Sequence, residues 1–189
     1  QIEKAAELIA QSEQPLILAG HGVIISGAFA ELREFAEKAN IPVITTLLGI
    51  GGFPGSHPLN LGMPGMHGMY WNNIAISESD LLLGIGMRFD DRVTGRLRDF
   101  APRAKIVHLD IDAAEIGKNV QPTAALHGDV KAVLVELNKL VQYKERPDWF
   151  AHLDDLKREH PSITIRDTSE LLPQYVIQRI YECSGDDFY

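Results

Sequence analysis

The amino-acid sequence predicts an α/β fold in which a parallel sheet is covered by helices on both faces. Short apolar runs alternate along the chain with segments whose apolar residues recur at helical spacing. Each short run is apolar throughout instead of alternating with polar residues, which is typical of strands that are buried on both sides. The hydrophobic fraction of 45% and the charged fraction of 23% are those of an ordinary globular domain, and 189 residues are enough for one sizeable core.

The predicted elements follow one another in a regular order. Pro15 opens the apolar run from Leu16 to Gly20, which we interpret as a buried strand, and a helix precedes it with apolar residues at Ile2, Ala5, Ala6, Leu8 and Ile9. Further strands are predicted from Pro42 to Leu47, Asp80 to Gly86, Lys105 to Asp112 and Ala124 to His127. Further helices are predicted from Ala28 to Ala39, Tyr70 to Glu78 and Val130 to Val141. This alternation indicates a parallel sheet of the Rossmann-like class.

Two stretches depart from the alternation. The Gly/Pro-rich segment from Leu48 to Gly68 has no periodicity, so we predict a long loop, and such loops are usually functional or disordered. We expect the sheet to end near Val141 and a polar linker to begin at Tyr143, followed by helices around Asp148 to His160 and Pro173 to Cys183. We therefore divide the chain into a domain at 1–142 and a connecting segment at 143–189. Because the sequence has no initiator Met and begins inside a helical pattern, we expect it to be a piece of a longer protein.

Composition and charge exclude several classes of partner. A net charge of −8 and scattered basic residues are unfavourable for binding nucleic acid or an anionic membrane. No apolar run approaches the roughly 20 residues of a membrane span. The single cysteine, Cys183, excludes an internal disulfide and a structural zinc site, so we expect an intracellular protein. The seven histidines show no metal-ligand spacing, and no catalytic triad stands out. A small-molecule partner is the remaining expectation.

A charged motif directly follows one of the predicted strands. Gly86-Met-Arg-Phe-Asp-Asp-Arg-Val-Thr-Gly95 places two arginines and two aspartates after an apolar run. Ligands of open α/β sheets collect at the carboxyl ends of the strands. Arg88 and Arg92 can neutralise a pyrophosphate or the electron-rich part of a flavin, while Asp90 can accept a hydrogen bond from a hydroxyl or ring N–H. The alternative is an exposed arginine–aspartate network without a ligand.

The first strand ends in Gly20-His-Gly22, where glycines allow a backbone to approach a phosphate or ribose. The dinucleotide-binding fingerprint is incomplete, because Ile25 stands where its third glycine would be. A tight turn between strand and helix is therefore the alternative interpretation of this motif.

Acidic residues follow two later strands. The carboxylates of Asp110 and Asp112 can meet ribose hydroxyls or a divalent metal. Asp110 is the better ligand-binding candidate, because the spacing of Asp112 and Glu115 is also that of a cap on a helix starting there. Asp129 can be a helix cap, a ligand-binding residue or both. His67, in the glycine-rich loop, can stack on a cofactor ring or face solvent.

Three motifs together resemble one known family. They are Gly62-Met-Pro-Gly-Met-His-Gly68, the charged motif at 86–95, and His108-Leu-Asp-Ile-Asp-Ala-Ala-Glu-Ile-Gly-Lys-Asn119. In this order, and from about Ile2 to Val141, the sequence resembles the central domain of acetolactate synthase (acetohydroxyacid synthase) catalytic subunits. Pro173-Gln-Tyr-Val-Ile177 resembles the lead-in to the thiamine-diphosphate-binding domain of that family.

The resemblance implies a three-domain enzyme of the thiamine-diphosphate type. Its central domain would bind FAD, and the outer two domains would hold thiamine diphosphate and Mg²⁺ across a dimer interface. Neither outer domain is in this sequence, so we expect no catalytic residue, no metal ligand and no activity from this piece alone. The resemblance further implies a cytoplasmic homo-oligomer, a dimer or tetramer, with a regulatory small subunit.

The resemblance also implies a set of FAD-contacting residues at matching positions. They are Gly20, His21, Gly22, Thr46, Leu47, Met66, His67, Gly86, Met87, Arg88, Asp90, Arg92, Val93, Asp110, Ile111 and Asp129. Met66, Asp91 and Arg92 would also border the substrate channel, so Arg92 would face two ligands. The sequence departs from the family at His21, where relatives often have a small residue.

The implied reaction condenses pyruvate with a second 2-keto acid, pyruvate or 2-oxobutyrate, on the route to branched-chain amino acids. This reaction has no net redox change, so FAD would be structural. Two alternatives stay open. One is a pyruvate oxidase-type domain, whose FAD transfers electrons, and the other is a regulatory module that binds ADP or another nucleotide in the same groove.

Overall fold

Six strands form one parallel sheet in the computed structural model, which describes residues 1–161, 165 and 169–184. The strands are β1 (Pro15–Ala19), β2 (Val43–Thr45), β3 (Asn60–Gly62), β4 (Leu81–Ile85), β5 (Lys105–Asp110) and β6 (Ala124–His127). Their order in the sheet is β3-β2-β1-β4-β5-β6, and every neighbouring pair is parallel. The predicted Rossmann-like α/β fold is confirmed.

The helices lie close to their predicted positions. They are α1 (Ile2–Gln11), α2 (His21–Ile25), α3 (Phe29–Ala39), α4 (Tyr70–Glu78), α5 (Asp91–Thr94), α6 (Val130–Leu140), α7 (Pro147–Glu159) and α8 (Pro173–Ser184). The short helices α2 and α5 were not predicted, and each contains candidate ligand-binding residues. None of the described helices is long and apolar enough to cross a bilayer.

Strand β1 shows why the strands are apolar throughout. Its residues alternate between two cores: Ile17 and Ala19 pack with α1, α3 and α6, whereas Leu16 and Leu18 pack with α4 and α7. All four side chains are fully buried. Successive side chains of a strand point to opposite faces, so a sheet covered on both faces favours apolar residues at successive positions.

The segment predicted as a structureless loop contains a strand. β3 pairs with β2 at the edge of the sheet, with Val43 opposite Asn60 and Ile44 opposite Gly62. Three residues are too few to produce a detectable period-two pattern, so the prediction of a pure loop was wrong here. Asn60 adds local order, because its Oδ1 accepts a hydrogen bond from the Gly62 N–H at 2.7 Å.

No helix starts at Asp112, contrary to the capping interpretation. Asp110 Oδ1 accepts a hydrogen bond from the Asp112 N–H, and Asp112 Oδ1 accepts one from the Ala114 N–H, both at 2.9 Å. Such local side-chain hydrogen bonds compete with helix formation. The backbone therefore continues through turns, and Gly117 adopts a left-handed φ of +77°.

The polar residues after Val141 are not a solvated linker throughout. Arg146 is only 3% exposed, and its guanidinium donates hydrogen bonds to the carbonyls of Ile9 and Ser12, both at 3.0 Å, and of Ala39 at 2.9 Å. Trp149 of α7 is buried as well, and its Nε1 donates to the Pro15 carbonyl at 3.1 Å. α7 thus packs on the sheet. The domain division at residue 142 stays a prediction, and part of the second segment lies outside the described residues.

Candidate cofactor-binding site

A cleft of about 410 Å³ lies at the carboxyl ends of β1, β2, β4 and β5. β1 and β4 are neighbours in the sheet, but the chain continues from β1 towards one edge and from β4 towards the other. The loops after these two strands consequently diverge and leave a crevice, which is the usual ligand position in this fold. The volume is within the range of small-molecule sites, roughly 300–1,000 Å³.

Most of the predicted FAD-contacting residues line this cleft. They are His21, Gly22, Thr46, Leu47, Gly86, Met87, Arg88, Asp90, Arg92, Val93, Asp110 and Ile111. The lining also includes Ile25, Leu48 and Glu115, which were not predicted. Four strand ends that are far apart in the sequence therefore contribute to one site.

The glycines at the base of the cleft allow two turns to touch. The Gly22 N–H donates a hydrogen bond to the Gly86 carbonyl at 2.9 Å, and a Cβ on Gly22 would lie 2.7 Å from the Gly86 Cα. Gly86 itself has a left-handed φ of +60°. Gly20 is buried below this contact, where its N–H donates to the Ile85 carbonyl at 2.9 Å. The tight-turn interpretation therefore accounts for these glycines, and Gly22 in addition faces the cleft.

The charged motif forms one wall of the cleft. One carboxylate oxygen of Asp90 caps α5 by accepting a hydrogen bond from the Arg92 N–H at 3.0 Å, and the other lies 3.2 Å from Arg88 Nη2. The Arg88 side chain is 67% exposed. An ion pair this exposed contributes at most about 1 kcal/mol, so Arg88 can exchange Asp90 for an anionic ligand at little cost.

Two polar side chains that sequence reasoning missed support this wall from behind, the buried His108 and the exposed Asn119. His108 is 1% exposed and its Nε2 lies 2.9 Å from the Met87 carbonyl, while Asn119 Nδ2 donates to the Phe89 carbonyl at 2.7 Å. Burial lowers the pKa of His108, so the neutral ring can donate its Nε2 proton to Met87. A histidine among the apolar residues in the middle of β5 was the available signal.

Exposed aliphatic side chains surround the cleft. Ile25, Leu47, Leu48 and Ile111 are each between 67% and 75% exposed. His21 links two of the segments that carry them, because its Nδ1 lies 2.9 Å from the Leu48 carbonyl. Grouped exposed apolar side chains indicate a surface that a ligand or partner covers.

The remaining predicted contacts lie elsewhere. Met66 lines a second pocket of about 300 Å³, which Asp91, Arg92 and Val93 also line, so Arg92 and Val93 separate the two cavities. His67 is exposed and lines neither of these cavities.

Asp129 is the N-cap of α6. Its carboxylate accepts hydrogen bonds from the Ala132 N–H at 3.0 Å and from the Ser26 hydroxyl at 2.7 Å, and these bonds lower its pKa. The capping alternative therefore describes its observed contacts, and a role in ligand binding stays a prediction.

The cleft has the chemistry of a nucleotide-like site. Arg88 and Arg92 suit an anionic group, the carboxylate of Asp110 suits hydroxyl groups, and the aliphatic rim suits an apolar ring system. Among the described residues, no group of three or more His, Cys, Asp or Glu side chains is arranged to hold a metal ion.

Comparison with known proteins gives one family. Residues 2–137 match the family model described as thiamine pyrophosphate enzyme, central domain. The chain is 46% identical over 194 residues to an acetolactate synthase large subunit of Mycobacterium tuberculosis, which covers 99% of this chain and 31% of that protein.

Similarity extends to archaeal and plant proteins. A probable acetolactate synthase large subunit of Methanocaldococcus jannaschii is 50% identical over 185 residues, covering 96% of this chain and 31% of that protein. The protein named acetolactate synthase 1, chloroplastic, of Zea mays is 46% identical over 187 residues, covering 96% of this chain and 29% of that protein. The chain thus spans about a third of the length of the curated relatives it matches.

Proposed function

The chain belongs to the central-domain family of thiamine pyrophosphate enzymes, and from this premise we propose that it is the FAD-binding central domain of an acetolactate synthase large subunit. The full-length protein would condense pyruvate with a second 2-keto acid, pyruvate or 2-oxobutyrate, in branched-chain amino-acid biosynthesis. Relatives named as acetolactate synthases, at 46–50% identity over nearly the whole chain, support this assignment.

The polarised cleft at the switch point of the sheet carries the FAD proposal. FAD combines a pyrophosphate, several hydroxyls and two ring systems. The cleft offers a group suited to each of these: Arg88 and Arg92 for the pyrophosphate, the carboxylate of Asp110 for a hydroxyl, and an aliphatic rim for a ring system. We assign Arg88 and Arg92 to the anionic or electron-rich parts of FAD and Asp110 to a hydroxyl. Met66, His67, Gly20 and Asp129 stay predicted contacts that lie outside the cleft itself.

The residues of this chain would bind and orient a cofactor and would not take part in bond making. Thiamine diphosphate supplies the carboligation chemistry when bound, and it and Mg²⁺ would be held by domains outside this chain. Arg92 lines both cavities, so it can place a substrate relative to FAD as well as contact FAD. We also propose that the full-length enzyme is a homo-oligomer, a dimer or tetramer, with a regulatory small subunit, and that it is cytoplasmic.

A steady-state assay of the full-length protein tests the proposal. With thiamine diphosphate and Mg²⁺ present, we expect acetolactate from pyruvate, dependence of the rate on added FAD, and no consumption of an electron acceptor. Formation of acetate or acetyl phosphate with reduction of an acceptor would instead identify a pyruvate oxidase-type enzyme. Titration of the cofactor-free protein with FAD and with ADP tests the remaining alternative, a regulatory nucleotide-binding module. Such a module would bind ADP and would not require the flavin.

A further inference from the structure

Three consecutive side chains at the start of α4 hold the segment that precedes Met66. Trp71 Nε1 donates a hydrogen bond to the Leu61 carbonyl at 3.0 Å. Asn72 Nδ2 donates to the same carbonyl at 2.9 Å and to that of Met63 at 3.2 Å. Asn73 reaches the next alternate residue, Gly65. The carbonyls of residues 61, 63 and 65 are thus bound one after another by a single turn of helix.

The Asn73 contact is the most specific of the three. Its Oδ1 accepts a hydrogen bond from the Gly65 N–H at 2.8 Å, and its Nδ2 donates to the Gly65 carbonyl at 3.0 Å. The side-chain amide therefore pairs with both polar groups of one residue, as a neighbouring strand would. A two-point contact fixes the orientation of the Gly65 backbone as well as its position.

Gly65 is held from the opposite side by the charged wall. It has a left-handed φ of +99°, and a Cβ at this position would lie 2.5 Å from the Arg92 carbonyl oxygen. The backbone just before Met66 and His67 is consequently enclosed between Asn73 and Arg92. Met66 is itself 73% exposed, so its own packing does little to determine where it lies.

We propose that Asn73 is a positioning residue for the cofactor, acting through the backbone of Gly65. The amide of Asn73 holds Gly65 against Arg92 and so places Met66 and His67 next to the wall that lines the cleft. Without this contact, Met66 and His67 would be joined to the rest of the fold through Gly65, and a glycine has few conformational restrictions of its own. This inference rests on the proposed function, because it requires that FAD occupies the cleft and extends beyond it to Met66 and His67.

Binding of FAD to the cofactor-free full-length protein tests the inference. We expect Asn73→Ala to weaken FAD binding roughly tenfold, as expected for the loss of one or two net hydrogen bonds. Asn73→Asp keeps an acceptor for the Gly65 N–H but turns a second carboxylate oxygen towards the Gly65 carbonyl, and two acceptors repel each other, so we expect a loss at least as large as in Asn73→Ala. Asn138→Ala is the matched control, because Asn138 Nδ2 donates to the Glu31 carbonyl at 3.1 Å, away from the cleft. We expect this control to leave FAD affinity unchanged.

A double-mutant cycle separates positioning from general destabilisation. In a Met66→Ala/His67→Ala background the residues that Asn73 positions are gone, so adding Asn73→Ala should change FAD affinity by less than about twofold. A full tenfold loss in that background would overturn the inference, as would unchanged affinity in Asn73→Ala alone. Either of these results leaves the proposed function intact, whereas a wild-type protein that binds no FAD would overturn both.

Discussion

At the scale of single residues, the cleft is formed by side chains that also stabilise each other. Asp90 caps α5 and pairs with Arg88, and the exposed network considered as the alternative interpretation is present in this form. The ion pair does not argue against a ligand, because it lies in the cleft and Arg88 remains largely exposed. The carboxylate therefore orients Arg88 when no anion is nearby.

Arg88 is expected to dominate the electrostatic contribution to FAD binding. Arg88→Ala removes a charge-assisted hydrogen bond of about 1.5–3 kcal/mol, which corresponds to roughly 10–150-fold weaker binding. Arg98→Ala is the control, since Arg98 is 80% exposed, pairs with Asp99 and does not line the cleft. Fluorescence titration of flavin against the full-length variants measures the difference. Equal FAD affinities of the two variants would show that Arg88 is not part of the FAD-binding site.

At the scale of elements, the contact between the turns after β1 and β4 sets the shape of the cleft. Gly22 and Gly86 approach so closely that neither position accommodates a Cβ. Because β1 and β4 are neighbours in the sheet, this contact fixes the relative position of α2 and the charged wall. Sequence alone shows the glycines, but it does not show which other residue each one meets.

Gly86→Ala should destabilise the protein more than Gly27→Ala. Both glycines have nearly the same positive φ, +60° and +61°, a range that costs an alanine about 1–2 kcal/mol. A Cβ on Gly27 would meet no atom of the described residues within 4 Å beyond its chain neighbours, whereas a Cβ on Gly86 would lie 2.8 Å from the Gly22 Cα. We expect the extra collision to remove at least about another 1 kcal/mol from the free energy of unfolding. Urea denaturation of both variants gives the comparison, and equal losses would contradict the close approach.

At the scale of the whole molecule, the first helix, the third helix and the segment after residue 142 are joined by one buried cation. The guanidinium of Arg146 binds carbonyls at the ends of α1 and α3, where helices leave acceptors without partners. The negative end of each helix dipole also favours a cation there. α7 is thereby attached to the sheet through Arg146 as well as through Trp149.

Replacing Arg146 should therefore destabilise the entire sheet domain. In Arg146→Met, the buried carbonyls of Ile9, Ser12 and Ala39 lose a donor, and we expect a loss of about 3 kcal/mol or more, since each such group costs about 1–3 kcal/mol. Arg158→Met in α7 is the control, because Arg158 is 73% exposed, and we expect a change within about 0.5 kcal/mol. Chemical denaturation followed by tryptophan fluorescence measures both. If the two variants were equally stable, the buried hydrogen bonds of Arg146 would not contribute to the stability of the sheet domain.

The sequence by itself determined the α/β fold, the place of most strands and helices, and the strand ends that carry ligand-binding chemistry. These features follow from local patterns, because a strand buried on both faces is apolar at nearly every position and most polar residues are left at its ends. For this reason Gly22, Arg88, Asp90, Arg92 and Asp110 could be predicted from local patterns. The family resemblance was needed to connect them with FAD and to add the remaining cleft residues, which are His21, Thr46, Leu47, Gly86, Met87, Val93 and Ile111.

Only the tertiary structure decided which of these residues share a cavity. It placed Arg88 and Asp110 in one cleft and Met66 in another, added the edge strand β3, and brought His108 and Asn73 behind the site. It also buried Arg146 against a carbonyl 134 residues away, in a segment whose composition indicates a solvated linker. Such contacts join residues that are distant in the sequence, and they depend on how the sheet and helices pack, which no local pattern records.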